Sequence, residues 1–314
     1  MSRQYNRTGR RPGWLLLSWF WSLFLWTPAT AREPPPIRVV TSFSILADLV
    51  QQVGGQAVTV KSLVGPDGDA HVYEPLPADA IALRDASMCV INGLGFEGWI
   101  ERLIKASAFK GVLVTASTGI HPLPLHGRPG DGHGQAGETV DPHAWHDLAN
   151  VPVYIARIAE GLTRIDPTRA DLFQNNAHRY GQAVQALDQW IRETLAAIPT
   201  ARRKVISSHN AFGYFTRAYG IAFLAPVGVS SDAEPSAGQV ARLISQIKQE
   251  KIKAIFLENM SNPRLARQLI KESGAVLGGT LYTDALSTAE GPAPSFLAMV
   301  RHNVMLLRKA MADP

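Results

Sequence analysis

One stretch limits the fold more than any other. Residues 168–198, "TRADLFQNNAHRYGQAVQALDQWIRETLAAI", read as helix throughout, interrupted only by Gly181. At 1.5 Å per residue such a helix is roughly 45 Å long, enough to cross between two lobes. Asp166-Pro167 marks the turn before it, and Pro167 suits the first position of a helix.

On either side, β-rich runs alternate with amphipathic ones. Before the helix the predicted strands are 37–43, 58–64, 88–93 and 111–116, and the predicted helices are 45–53, 78–86 and 96–107, with a further helix from about Leu148 to Leu162. After it, strands are expected at 204–209, 221–228, 252–258 and 275–283. Helices are expected at 211–220, 236–250 (opened by a Ser236 cap), 262–274 (stopped by Gly274) and from about Pro294 to Lys309. Strands alternating with helices mean parallel sheets with helices on their faces. The expected fold is α/β, with two lobes of similar size and no evident sequence repeat between them. The boundaries are 32–166 for the first lobe, 167–198 for the linking helix and 199–314 for the second lobe. Residues 117–142, rich in glycine and without periodicity, read as a loop.

The first 31 residues have a basic start (Arg3, Arg7, Arg10, Arg11), an apolar run from Trp14 to Trp26 and a small-residue end, Ala29-Thr30-Ala31. That is the layout of a cleavable export signal. The apolar run is shorter than the roughly 20 residues needed to span a bilayer. Cleavage after Ala31 leaves 283 residues and removes four of the 31 basic residues but none of the 26 acids, so the mature chain carries about +1. The basic charge belongs to the leader, and nothing suggests a nucleic-acid partner. Cys89 is the sole cysteine, so there is no internal disulfide, and it reads as a buried strand residue. With no cysteine at the cleavage site, the expectation is a soluble periplasmic chain without a lipid anchor.

In open parallel sheets, ligands sit beyond the carboxyl ends of the strands. Four chemistry-bearing places fall there: His71, the stretch 141–147 with its two histidines and two aspartates, His209 and Asp284. Three imidazoles and one carboxylate suffice to close a tetrahedral zinc site without cysteine. Taken singly, each is more often a hydrogen-bonded turn residue than a ligand. His143 lies in "DPHAWHD", where Asp141 and Pro142 would shape the approach and Asp147 would cap the next helix; His146 reads as a surface histidine, with a supporting partner of a ligand or a spare entry ligand as the alternatives. There is no H-E-x-x-H, and no open coordination position is evident for a hydrolase. No feature favours an adhesin.

The segments "DAHVYEPLPADA", "DPHAWHDLAN", "SSHNAFGYFTRAYG", "IFLENMSNPRLARQLIKESG" and "LYTDALS" occur in that order. Together they resemble the solute-binding proteins of zinc and manganese ABC importers, over essentially the whole mature chain. The resemblance implies two Rossmann-like lobes, a rigid linking helix, and a metal held in the cleft between them by His71, His143, His209 and Asp284. It implies a binding protein rather than an enzyme, acting as a monomer with a membrane permease; a periplasmic metallochaperone is a further candidate partner. Members similar to manganese binders often have a carboxylate where this chain has His209, so Zn2+ is the expected ligand, with Mn2+ or iron as the alternative. Glu258 matches a recurrent family glutamate expected to support the donors rather than bind. The chain departs from the family at His146 (commonly leucine), Leu148 (commonly proline) and Asn210 (commonly aspartate). His121, His126 and His133 in the 117–142 loop read either as a low-affinity metal collector or as incidental. His178 and His302, on predicted helices, read as solvated or structural.

Overall fold

The computed structural model describes residues 34–125, 140–229, 231 and 235–312. The export signal, His126 and His133 lie outside these residues. The chain begins with β1 (Ile37–Phe43), α1 (Ser44–Gly54), β2 (Val58–Val64), α2 (Pro77–Arg84), β3 (Met88–Ile91), α3 (Ile100–Ser107) and β4 (Val112–Thr115). The short strands β5 (Leu123–Pro124) and β6 (Val140–Asp141) follow, then α4 (Val151–Ile165) and α5 (Ala170–Ala196). The second half consists of β7 (Lys204–Ile206), α6 (Gly213–Tyr219), β8 (Ala222–Leu224), α7 (Ala237–Gln249), β9 (Ala254–Glu258), α8 (Arg264–Ser273), β10 (Val276–Leu281) and α9 (Phe296–Ala312).

The strands form two four-stranded parallel sheets, ordered β2-β1-β3-β4 and β10-β9-β7-β8. Counted within each lobe, both orders are 2-1-3-4. The architectural similarity expected from the sequence is therefore a shared topology. In such sheets the order reverses between the first and third strands, and a crevice opens beyond their carboxyl ends.

Helix α5 links the lobes. Its buried residues Phe173, Ala177, Tyr180, Val184, Leu187, Ile191 and Leu195 recur every three or four positions. That spacing makes one continuous apolar stripe along the helix. A core running through both sheets packs against it and includes Val39, Leu49 and Val90 from the first lobe and Phe212, Phe256 and Leu281 from the second. A second apolar cluster, with Ile206, Val240, Leu243, Ile255 and Leu269, fills the space under α7 and α8. After β10 the chain returns to the first lobe: the Leu286 N–H donates to Ser44 Oγ and the Phe296 N–H to Asp48 Oδ2.

Three expectations need correction. The 117–142 segment is not wholly irregular, because β5 and β6 pair antiparallel, Leu123 opposite Asp141. Helix α3 starts at Ile100 rather than Phe96. The turn before it takes Gly93, Leu94 and Gly95 through positive φ, and Glu97 accepts the Asn92 and Gly93 N–H groups at the end of β3. Strand β8 spans only Ala222–Leu224, with an isolated bridge from Val227 to His209 beyond it.

Candidate metal centre

Each of the four candidate residues follows a strand or sheet end, and the topology brings them together. His71 follows β2, His143 follows β6, His209 lies beyond β7 and Asp284 beyond β10. The donor atoms all lie within 4.8 Å of one another. His71 Nε2 is 3.3 Å from His143 Nε2 and 3.3 Å from Asp284 Oδ2. Asp284 Oδ1 is 3.5 Å from His143 Nε2, and Oδ2 is 3.1 Å from His209 Nε2. Four donors placed about 2.0–2.1 Å from a common tetrahedral centre would lie about 3.3–3.4 Å apart. The imidazole rings form a near-equilateral triangle, with centroid separations of 5.3, 5.3 and 5.7 Å.

The cluster is largely buried, and three of its donor atoms make no aligned hydrogen bond among the described residues. His143, His209 and Asp284 are each no more than 1 % exposed. His209 Nε2 and both Asp284 oxygens make no aligned hydrogen bond. A buried polar atom in that state costs about 1–3 kcal/mol, so several in one place mark a site shaped for something to fill it. Burial opposes the charge on Asp284, yet the His143 and His209 imidazoles hold its carboxyl well below the usual range. Burial likewise opposes charge on His209, but Glu258 and Asp284 outweigh it and raise this imidazole well above its ordinary value.

Two of the imidazoles are oriented from behind. Asp141 Oδ1 lies 2.8 Å from His143 Nδ1 and also accepts the His143 backbone N–H at 2.9 Å. Glu258 Oε2 lies 2.5 Å from His209 Nδ1, while Oε1 accepts the Ser208 and His209 backbone N–H groups. A carboxylate on Nδ1 keeps a proton on that nitrogen, so Nε2 is the one that offers its lone pair when a cation binds. Glu258 thus makes the contacts that a supporting position would require. The part Asp141 plays was legible only as proximity in "DPH". Gly213, at the start of α6, was not legible at all: a Cβ there would run into Asp141 Oδ2, so a larger residue would displace the group that orients His143.

His146 is not the surface residue expected. It is 3 % exposed, its ring lying 4.7 Å from Phe212 and 5.6 Å from Trp145. Burial, with His143 beside it, pushes its pKa down to about 3, so it is neutral, and its Nε2 has no partner. His146→Leu is expected to stabilise the fold by roughly 1 kcal/mol, since removing an unpaired buried nitrogen relieves about that cost or more. Urea unfolding should show a higher midpoint at unchanged slope; a lower midpoint would mean that the nitrogen has a partner.

Asp147 caps as expected, its Oδ1 accepting the Ala149 N–H in the short turn that leads into α4. Its other oxygen reaches Arg217 of the second lobe at 3.2 Å. His121 is exposed, as is His178, which pairs with Gln182, and His302 lies 2.9 Å from the Thr280 carbonyl. Cys89 is fully buried, and burial with Glu97 nearby pushes its thiol up to about 12, so it is neither nucleophile nor thiolate ligand.

Two parallel α/β lobes, one linking helix and a buried four-donor cluster at their facing ends define a metal-binding solute-binding protein. A family model described as ZnuA, zinc-uptake complex component A periplasmic, matches residues 39–310. The chain belongs to this family, whose members are substrate-binding proteins of ABC importers and not enzymes, and which work with a membrane permease. It is 33 % identical over 275 residues to the manganese-binding lipoprotein MntA of Halalkalibacterium halodurans, covering 88 % of both chains. It is 32 % identical over 295 residues to the iron-binding protein YfeA of Yersinia pestis, covering 91 % of this chain and 92 % of that one. The periplasmic zinc binding protein TroA of Treponema pallidum superposes with a TM-score of 0.79 at 29 % identity, over 89 % of this chain and 100 % of that one.

Divalent metal binding follows from the family, while relatives named for manganese, iron and zinc leave the individual metal open. The expectation of a chain without a lipid anchor is not borne out, since the manganese relative is named a lipoprotein. No helix among the described residues is long and apolar enough to cross a membrane.

Proposed function

We propose that this protein captures Zn2+ in the periplasm and passes it to an ABC importer permease, with His71, His143, His209 and Asp284 as its ligands. The observation that carries this reading is the third donor. An imidazole at His209 makes the set three nitrogens and one carboxylate, which suits a borderline cation better than hard Mn2+. The TroA likeness is in keeping with it; the likenesses to manganese and iron binders support the same transport role with another cargo.

Nearly any such donor set binds Zn2+ above Mn2+ in a test tube, following the general order of divalent-metal affinities. The informative experiment is therefore the metal content of protein recovered from the export compartment of cells grown with zinc, manganese and iron all present. One zinc per chain is expected. One manganese or iron in its place would overturn the choice of metal while leaving the transport role intact.

Protons compete for the same nitrogens. In the metal-free protein His209 holds its proton above the ordinary imidazole range, so binding must expel it. Affinity falls as pH falls, by about tenfold per pH unit for each proton released. A zinc titration at pH 7.5 and pH 5 should differ by about 100-fold or more; equal affinities would argue against imidazole ligation.

A further inference from the structure

The three imidazoles are not held alike. His143 and His209 each set Nδ1 against a buried carboxylate, but no carboxylate among the described residues reaches Nδ1 of His71. Its ring rests edge-on against Phe96, with centroids 4.6 Å apart. What holds His71 is its backbone, whose N–H donates to Asp69 Oδ1 at 2.9 Å. The other oxygen of that carboxylate accepts the Ser231 hydroxyl of the second lobe at 2.5 Å. One side chain therefore ties the seat of His71 to the opposite wall of the cleft.

A second crossing lies two residues earlier. The Asp67 N–H donates to the Leu286 carbonyl at 2.9 Å, and Asp67 Oδ1 accepts from Asn259 Nδ2 at 2.9 Å. Asp67 makes no hydrogen bond to His71, so its bonds hold the loop without seating the ligand. Asp69 and Ser231 also line, with Ser207, Ser208 and His209, a cavity of about 600 Å³ on the second lobe.

We infer that Asp69 is a positioning residue that couples the seat of His71 to closure of the cleft. While the Asp69–Ser231 bond is made, His71 stays at the metal; when it breaks, His71 is the first donor to leave. This rests on the ligand set proposed above.

The test is kinetic. Full-length protein loaded with Zn2+ is mixed with excess EDTA, and release is followed in the wild type, Ser231→Ala, Asp69→Ala, the double variant and Asn259→Ala. Losing a hydrogen bond to a charged group corresponds to about a tenfold or greater change. Ser231→Ala and Asp69→Ala should each speed release by at least that factor, and the double variant should release no faster than Asp69→Ala. Asn259→Ala should have a smaller effect, and every variant should still bind one Zn2+. Metal-free Ser231→Ala protein should still melt in one cooperative transition, which shows that it folds. If Asp69→Ala does not fold, Ser231→Ala carries the test alone. Unchanged release in Ser231→Ala, or effects that multiply in the double variant, would overturn the coupling. A wild type that binds no Zn2+ would instead overturn the ligand assignment, and the coupling with it.

Discussion

Replacing His209 by alanine should lower Zn2+ affinity by more than about 100-fold, whereas Glu258→Gln should lower it by about 10–100-fold. The two side chains touch, yet the expected losses differ in kind. Alanine at 209 removes a donor and leaves Glu258 and Asp284 facing an emptied corner of the cluster. Glutamine at 258 keeps the shape and can still accept from the Ser208 and His209 N–H groups, but it no longer places a carboxylate 2.5 Å from His209 Nδ1. The tautomer and ring orientation are then less strongly fixed, and the ligand is less basic. Isothermal titration with a competing chelator measures both, and circular dichroism of the metal-free variants shows whether they fold. Full Zn2+ affinity in a folded His209→Ala protein would remove His209 from the ligand set.

Zn2+ should also stabilise the whole fold. A ligand at a thousand times its dissociation constant adds about 4.1 kcal/mol. At roughly 2–4 °C per kcal/mol for a large domain, the melting temperature should rise by roughly 8–16 °C. The sign follows from the donor cluster. Without metal, Asp284 and His209 keep buried atoms that make no aligned hydrogen bond, and the unfolded chain has no preformed site to compete for the ion. Differential scanning calorimetry with and without Zn2+ measures the shift, and EDTA should reverse it. An equal shift in His209→Ala would mean that the metal acts elsewhere.

Much of the fold was legible because its elements are locally consistent. Strands β1 and β2 occupy the expected residues, since both are short β-rich runs bounded by turn residues or helix starts. Ser236 caps α7 through a reciprocal bond with Gln239, and Gly274 ends α8 in the left-handed region, each a short-range signal. The four donors came together as expected because strand ends in both sheets face one crevice. What failed depended on distant contacts. His146 looked like a surface histidine because nothing nearby in sequence shows that Phe212, brought in by α6, covers it. The pairing of β5 with β6 joins residues on either side of a long intervening segment, and two-residue strands leave no periodic trace. Gly213 gave no signal because its function is the space it leaves for Asp141.

The most direct test of the central claim is X-ray absorption at the zinc edge of the loaded wild-type protein. The ligand set predicts a first coordination sphere of three imidazole nitrogens and carboxylate oxygen at about 2.0–2.2 Å. A sphere lacking imidazole scattering, or one containing sulfur at about 2.3 Å, would contradict it.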